Sequence, residues 1–207
     1  MTPKMKELEL FGRVMAEVME VFRRKFPPTV RIETTNHCNA CCTFCPRESI
    51  GREKAFMDEH LYEKIITECA ANGCSMIHLH NFGEPLLDKQ LPERITFAKK
   101  MGIKRIKIFS NGALLDGATA EALLESGLDE IKISIDGANA REFNELRVGL
   151  DHAKVLDNTR NFKRMRDLRG RRHPTIVATC ALTSDKKKSR HMVKGAVDRI
   201  VFADLQN

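Results

Sequence analysis

Cys38, Cys42 and Cys45 stand in a CxxxCxxC spacing, with Phe44 directly before the third cysteine. Three thiolates this close in sequence can wrap one metal centre. A four-iron cluster has four irons to ligate and usually takes four cysteines, so a trio leaves one iron without a protein ligand. Open coordination positions do chemistry, as they do in catalytic zinc sites. A zinc ion, with His37 or Cys41 as fourth ligand, is the other reading of the trio. Closed zinc sites, however, usually draw on two ligand pairs separated by a longer loop.

The remaining cysteines do not form a disulfide framework. Seven is an odd number, and four of the seven fall within eight residues. Clustered cysteines read as metal ligands of a reducing compartment. Cys69, Cys74 and Cys180 are expected to be buried, inert thiols that pack as small hydrophobes. Cys41 lies beside the trio at the wrong spacing and receives no role.

The elements that must position the trio alternate between strand and helix patterns. Apolar spacing over residues 5–26 predicts an amphipathic N-terminal helix, stopped by Pro27-Pro28. Strand-like segments follow at Val30–Asn36, Met76–Asn81, Arg105–Asn111, Glu130–Asp136, Thr175–Thr183 and Arg199–Leu205. Helical segments separate them at about 58–71, 89–101, 118–126, 140–147 with 153–169, and 187–197. Gly73, Gly102 and Gly127 sit where helices should end. Repeated strand–helix units imply an α/β fold with a parallel sheet. Six units fall short of the eight of a closed barrel; a partial (β/α)6 barrel fits, and a doubly wound open sheet also fits the pattern. Residues 1–28 read as a helical extension and 29–207 as the main domain.

The strands alternate instead of being apolar throughout. Ile77 and Leu79 alternate with His78 and His80, Ile106 and Ile108 with Lys107 and Phe109, Ile131 and Ile133 with Lys132 and Ser134. Side chains two apart share a face. One face therefore suits the helices, and the other is polar. In a curved sheet the polar face is the lumen, where Arg31, Glu33, Lys107 and Lys132 must pair with each other, with water or with a ligand. The expectation is a wet, ligand-filled interior.

The cysteine trio follows the first strand, which places it in a loop at the carboxyl edge of the sheet. Similar landmarks follow in order: Asn81-Phe82-Gly83-Glu84-Pro85 after the second strand, Ser110-Asn111-Gly112 after the third, Ser134-Ile135-Asp136-Gly137 after the fourth. With the trio, they resemble the radical S-adenosylmethionine (radical SAM) superfamily. The resemblance covers about residues 30–205 and is dense over 36–147. It implies a partial (β/α)6 TIM-like barrel. It also implies a [4Fe–4S] cluster held by Cys38, Cys42 and Cys45, with the amino and carboxylate groups of SAM on the fourth iron. An electron from the cluster would split SAM into methionine and a 5′-deoxyadenosyl radical.

The same resemblance assigns cofactor contacts. Phe44 is expected near the adenine. Phe82, Gly83, Glu84 and Pro85 match the family's GGEP motif at the amino end of SAM, with Phe82 in place of the first glycine. Ser110 and Asn111 match the polar turn after the third strand. Ser134 and Asp136 are expected to reach the ribose or carboxylate, and Arg147 to pair with the carboxylate. The fifth strand lacks the glycine many relatives carry, so no adenine contact is assigned there. His78 and His80 are either lumen groups or satisfied core histidines.

The implied function is reductive SAM cleavage and hydrogen abstraction from an organic substrate, a peptide or a sugar-like small molecule. The alternative is a non-catalytic iron–sulfur binding or sensing module that keeps the fold. An electron donor such as flavodoxin or ferredoxin is implied as partner. Relatives acting on peptides or sugars often continue into a cysteine-rich domain, which is absent from this sequence.

Composition bounds the rest. A chain of 207 residues with 42% hydrophobic residues can bury a substantial core. No apolar run is long enough to span a membrane, and the N-terminus lacks the apolar core of a signal peptide, so the expected compartment is the cytoplasm. The net charge of +7 is concentrated in Arg164–Arg172 and Lys186–Lys188. With no aromatic residues interleaved, these runs read as solvated helix ends, and nucleic acid is not an expected partner.

Overall fold

The computed structural model describes residues 26–202, together with Met5, Leu8, Glu9 and residues 11–16. Those N-terminal positions are helical where described, and Phe26 is a bend; the rest of the helix expected over 5–26 lies outside the described residues, as do positions 203–205 of the sixth strand segment.

Among the described residues six strands form the sheet: β1 (Thr29–Ile32), β2 (Met76–Leu79), β3 (Arg105–Ser110), β4 (Glu130–Ser134), β5 (Thr175–Cys180) and β6 (Arg199–Phe202). Within residues 26–202 the helices are α1 (Glu59–Ala71), α2 (Leu91–Lys100), α3 (Gly117–Glu125), α4 (Ala140–Leu146), α5 (His152–Leu168) and α6 (Lys186–Met192). Short 3-10 turns at Pro46–Ser49 and Pro85–Leu87 follow the cysteine loop and the GEP segment. Every strand pair is parallel, and the spatial order is β1-β2-β3-β4-β5-β6. A doubly wound sheet reverses its strand order at a switch point. This sheet never reverses, so the fold is the partial barrel.

Local chemistry sets the boundaries. Asp58 caps α1 by accepting from the Leu61 amide at 2.9 Å, and Asp151 caps α5 by accepting from the Lys154 amide at 2.7 Å. Gly73, Gly102 and Gly127 take positive φ after α1, α2 and α3. The helix-facing residues Ile77, Leu79, Ile106, Ile108, Ile131, Ile133 and Ile176 are fully buried. They pack with Tyr62 and Ile66 of α1, Ile95 of α2, Leu123 of α3 and Phe162 of α5. Each such side chain contributes about 1.5–3 kcal/mol of burial energy.

The opposite face is polar, and parallel register aligns it in rows: Arg31, His78, Lys107 and Glu130 in one, and Phe109, Lys132 and Val177 in the next. Cys69, Cys74 and Cys180 are buried, and burial pushes the Cys69 and Cys180 thiols up to about 11.

One expectation about the surface is corrected. The basic run at the end of α5 is not simply solvated. Arg166 is 4% exposed and bidentate on Asp198 at 2.5 and 2.8 Å. Arg169 pairs with Glu121, and Arg171 with Glu125 at 2.8 Å. Acids on α3 and before β6 draw these cations in, because guanidinium geometry suits paired carboxylate bonds.

Candidate cofactor site

The loop after β1 and the ends of β2, β3 and β4 surround a cavity of about 150 Å³ at the carboxyl edge of the sheet. Cys38, Cys42, Phe44 and Cys45 form one wall. Phe82, Gly83, Glu84, Ser110, Asn111, Ser134 and Arg147 form the others. Eleven of the thirteen sequence-selected site residues therefore meet at one cavity. Pro85 and Asp136 do not line it.

The cysteine loop is held by backbone bonds. The Cys45 amide donates to the Cys42 carbonyl at 3.1 Å, and the amides of Cys41 and Thr43 donate to the carbonyls of Val148 and Leu146 at 2.8 and 3.0 Å. This ladder ties the loop to the chain leaving α4. All three thiols of the trio are free and half-buried, whereas Cys41 is exposed and outside the cavity. Burial pushes the Cys38 and Cys42 thiols up, and for Cys42 the Arg147 charge works against it. A bound metal would remove both protons outright.

Gly83 has a packing reason that sequence reading missed. A Cβ there would lie 1.9 Å from the Thr35 carbonyl oxygen. The glycine lets the GEP segment close on the chain leaving β1, and it also lines the cavity. The adjoining Glu84 amide then donates to the His37 carbonyl at 2.7 Å, next to Cys38.

Glu84 binds three elements together. Its Oε1 accepts from the Leu86 amide at 3.0 Å and the Ser110 hydroxyl at 2.7 Å, and its Oε2 accepts from the Asn111 amide at 2.7 Å. Burial pushes its carboxyl above the usual range, against those hydrogen bonds and the Arg147 charge. The group lines the cavity, where a cationic ligand would relieve that cost. Pro85 starts the 3-10 turn that Glu84 caps; its place is structural. Asn111 is engaged on both ends of its amide, donating to Asn39 Oδ1 at 2.8 Å and accepting from the Ala113 amide at 3.0 Å.

Asp136 requires a correction. It was expected to reach the cofactor, but it is fully buried behind the wall. Its Oδ1 accepts from the Ala181 and Leu182 amides at 2.6 and 2.9 Å. Its Oδ2 accepts from Arg147 Nε at 2.7 Å and faces Nη2 at 2.5 Å. A carboxylate has about four lone-pair sites, and all are taken. Asp136 instead aims Arg147 at the cavity, where its Nη1 stands 3.7 Å from Cys42 Sγ and its guanidinium 5.4 Å from the Phe44 ring centre.

Arg47, Asn81, Ala40 and Phe109 also line the cavity and were not selected from sequence. Arg47 had a signal, a guanidinium two residues after Cys45; it is anchored on the Ala40 carbonyl at 3.1 Å. Phe109 was visible only as a lumen-face position.

The donor chemistry fits the group the trio suggests. Among the described residues no three His, Cys, Asp or Glu side chains are drawn together tightly enough for a single ion. Cys38, Cys42 and Cys45 line the cavity with free thiols, the donor type that holds iron–sulfur centres. Two polar walls remain for an amino acid ligand: buried Glu84 for an ammonium, and Arg147 for a carboxylate.

Comparison with known proteins gives the same answer. The family described as the radical SAM superfamily matches residues 32–169. The chain is 36% identical over 118 residues to a GTP 3′,8-cyclase of Chlorobaculum tepidum, covering 56% of this chain and 35% of that protein. It is 35% identical over 132 residues to the GTP 3′,8-cyclase of Alkaliphilus oremlandii, covering 62% and 41%. The chain thus matches about two fifths or less of the length of these relatives. In fold it resembles Streptococcus suis SuiB bound to S-adenosylmethionine, with a TM-score of 0.74 at 17% identity, over 100% of this chain and 47% of that one. Members of the matching family use a [4Fe–4S] cluster and SAM. No described helix is long and apolar enough to cross a membrane. The chain belongs to the radical SAM superfamily.

Proposed function

We propose that residues 29–207 are the core of an enzyme that cleaves SAM reductively and abstracts hydrogen from an organic substrate. The observation that carries this reading is the shared cavity: three free thiols on one wall face Glu84 and Arg147 on the others. Cys38, Cys42 and Cys45 would hold the [4Fe–4S] cluster. Glu84 would accept from the ammonium of SAM, and Arg147, aimed by Asp136, would meet its carboxylate. Phe44 and Phe82 would enclose the apolar parts of the same ligand, and Ser134 offers a hydroxyl on the β4 side. When bound, the cluster and SAM supply a one-electron cleavage that yields a hydrogen-abstracting radical. The chain's own contribution is to fix the ligand, exclude water from the half-buried thiols and present the lumen to substrate.

The names of the sequence relatives point to a nucleotide substrate, and the SuiB likeness supports no more than the fold. The substrate is an organic molecule, peptide, sugar-like or nucleotide, and a low-potential donor such as flavodoxin or ferredoxin would supply the electron.

The test is anaerobic reconstitution with iron and sulfide, followed by SAM and dithionite. Formation of 5′-deoxyadenosine is expected. Cys38→Ala, Cys42→Ala and Cys45→Ala should each abolish cluster assembly, while Cys41→Ala should not. Glu84→Gln should weaken SAM binding with the cluster retained. A brown protein that forms no 5′-deoxyadenosine would favour the non-catalytic iron–sulfur module. A protein that takes up zinc and no iron would end both readings.

A further inference from the structure

The lumen beneath the cavity carries more positive charge than its own carboxylate can neutralise. Glu130, 4% exposed, stands at the start of β4. Lys107 Nζ lies 3.1 Å from its Oε1, Arg199 Nη2 lies 3.0 Å from its Oε2, and Lys132 Nζ lies at the 4.0 Å limit of pairing. Three cations therefore share one acid. Glu33, a lumen acid just after β1, is engaged elsewhere, with Arg52 at 2.6 Å and the Phe82 amide at 2.9 Å. Lys107 and Lys132, with side chains 15% and 22% exposed, are costly without a counter-charge, whereas Arg199 reaches the same acid from an exposed position.

A second observation points the same way. His80 is 8% exposed, and its buried Nδ1 has no hydrogen-bond partner among the described residues. Its ring centre lies 4.0 Å from that of Phe109, tilted by 37°, and Lys132 Nζ sits 4.7 Å from the centre of the Phe109 ring. Phe109 in turn lines the cofactor cavity. Lys132 and Ser134 share the lumen face of β4, and Ser134 also lines the cavity. Two residues of strand span about 6.6 Å, so a ligand gripped by Lys132 lies one small molecule's length from the cavity. Burial pushes the His80 imidazole down to about 3, so it remains neutral and available to donate or accept. The Lys132 ammonium is lowered by burial and by Lys107 and Arg199, and Glu130 only partly offsets them.

We propose that Lys132, Lys107 and Arg199, with His80, form an anion-binding site. It would hold the multiply charged phosphate or carboxylate end of the substrate while the substrate's reacting end meets the cofactor cavity. This deepens the reading of that cavity as the SAM site and rests on it for the substrate's second end. The shared chemistry is a compact anion carrying two or more negative charges. A monoanionic ligand would leave part of the cationic cluster unmatched.

Calorimetric titration of the reconstituted full chain with inorganic tripolyphosphate and with citrate tests this, without SAM or reductant. Binding of at least one probe, weakening as salt is raised, is expected. Tighter tripolyphosphate binding would assign a phosphate-bearing substrate, and tighter citrate binding a polycarboxylate. Lys132→Gln should weaken the bound probe about tenfold, the size of one lost charge-assisted bond. Glu130→Gln should tighten it, because it removes the competing acid. Lys187→Gln, in the surface basic run, should leave it unchanged. No binding of either probe overturns the proposal. So does binding that ignores Lys132→Gln and Glu130→Gln, or that falls in Lys187→Gln. The failures are separable: a protein that cleaves SAM and binds neither probe loses only this site. A protein that binds the probe through Lys132 and never forms 5′-deoxyadenosine loses only the catalytic reading.

Discussion

The carboxylates at the rim and the carboxylate in the lumen are treated in opposite ways. At the rim, Glu84 collects three hydrogen bonds and Asp136 four donors, two from one guanidinium and two from backbone amides. In the lumen, Glu130 alone among the described acids faces Lys107, Lys132 and Arg199. The rim has enough donors for every acid, so its charges fix loops. The lumen has more cations than acid, so some of its charge is left for a ligand. A buried charge is therefore functional or structural according to whether its neighbours already complete it.

The hardest test of that contrast is Asp136→Ala. It would strand Arg147 and two backbone amides, and removing one partner of a buried pair costs about 3–5 kcal/mol. Urea denaturation of the cluster-free protein should show a loss of that size. A loss below about 1 kcal/mol would place Asp136 among ordinary surface pairs and undo its role in aiming Arg147.

Gly83→Ala comes next. The new methyl meets backbone, not a flexible side-chain tip, so the GEP segment must move off the chain leaving β1. Overpacking of this kind costs about 1–3 kcal/mol. Because the Glu84 amide bonds His37 beside the cysteine loop, cluster content should fall with stability. Full iron incorporation at unchanged stability would show that the two loops are not coupled through this contact.

Much of this arrangement was legible in the sequence, and the misses have physical causes. Period-two alternation identified the helix face and the lumen face correctly, because burial demands it on one side only. Spacing and order brought the trio, Glu84 and Arg147 to one place. Spacing could not say whether a polar residue faces a ligand or another residue. Asp136 shares strand parity with Ser134, yet the chain turns at Gly137, and the carboxylate is captured by the amides of Ala181 and Leu182. Those donors lie 45 and 46 residues further along the chain. Arg166 was misread for the same reason: its partner Asp198 is 32 residues away. Gly83 was read only for ligand approach, because its steric constraint against Thr35 is visible only in three dimensions.

The rim and the lumen should also differ in how stability follows pH. Burial raises Glu84 above its ordinary value of 4.5, so the native state keeps a proton the unfolded chain has lost. Stability from this group falls as pH rises from 4.5 through the raised folded value. For Glu130, burial alone would raise the carboxyl, but Lys107, Lys132 and Arg199 outweigh it and the net shift is downward. Its contribution is present above 4.5 and is lost as pH falls through the lowered folded value. Urea midpoints of the cluster-free protein from roughly pH 3 to 7 should therefore change differently in two variants. Glu84→Gln should flatten the decline on the neutral side, and Glu130→Gln the loss on the acid side. Identical profiles would remove the distinction between the two acids.

The smallest stability effect is expected where the binding effect is largest. Lys132 has its nearest carboxylate at 4.0 Å and two cations competing for it. Glutamine loses the ammonium that sits 4.7 Å from the Phe109 ring centre and removes repulsion from Lys107 and Arg199. The two changes offset, so Lys132→Gln should alter stability by less than about 0.5 kcal/mol. A loss of about 2 kcal/mol or more would mean that Lys132 is completed by its neighbours, as Arg147 is by Asp136. Its charge would then belong to the fold, with nothing left over for a substrate.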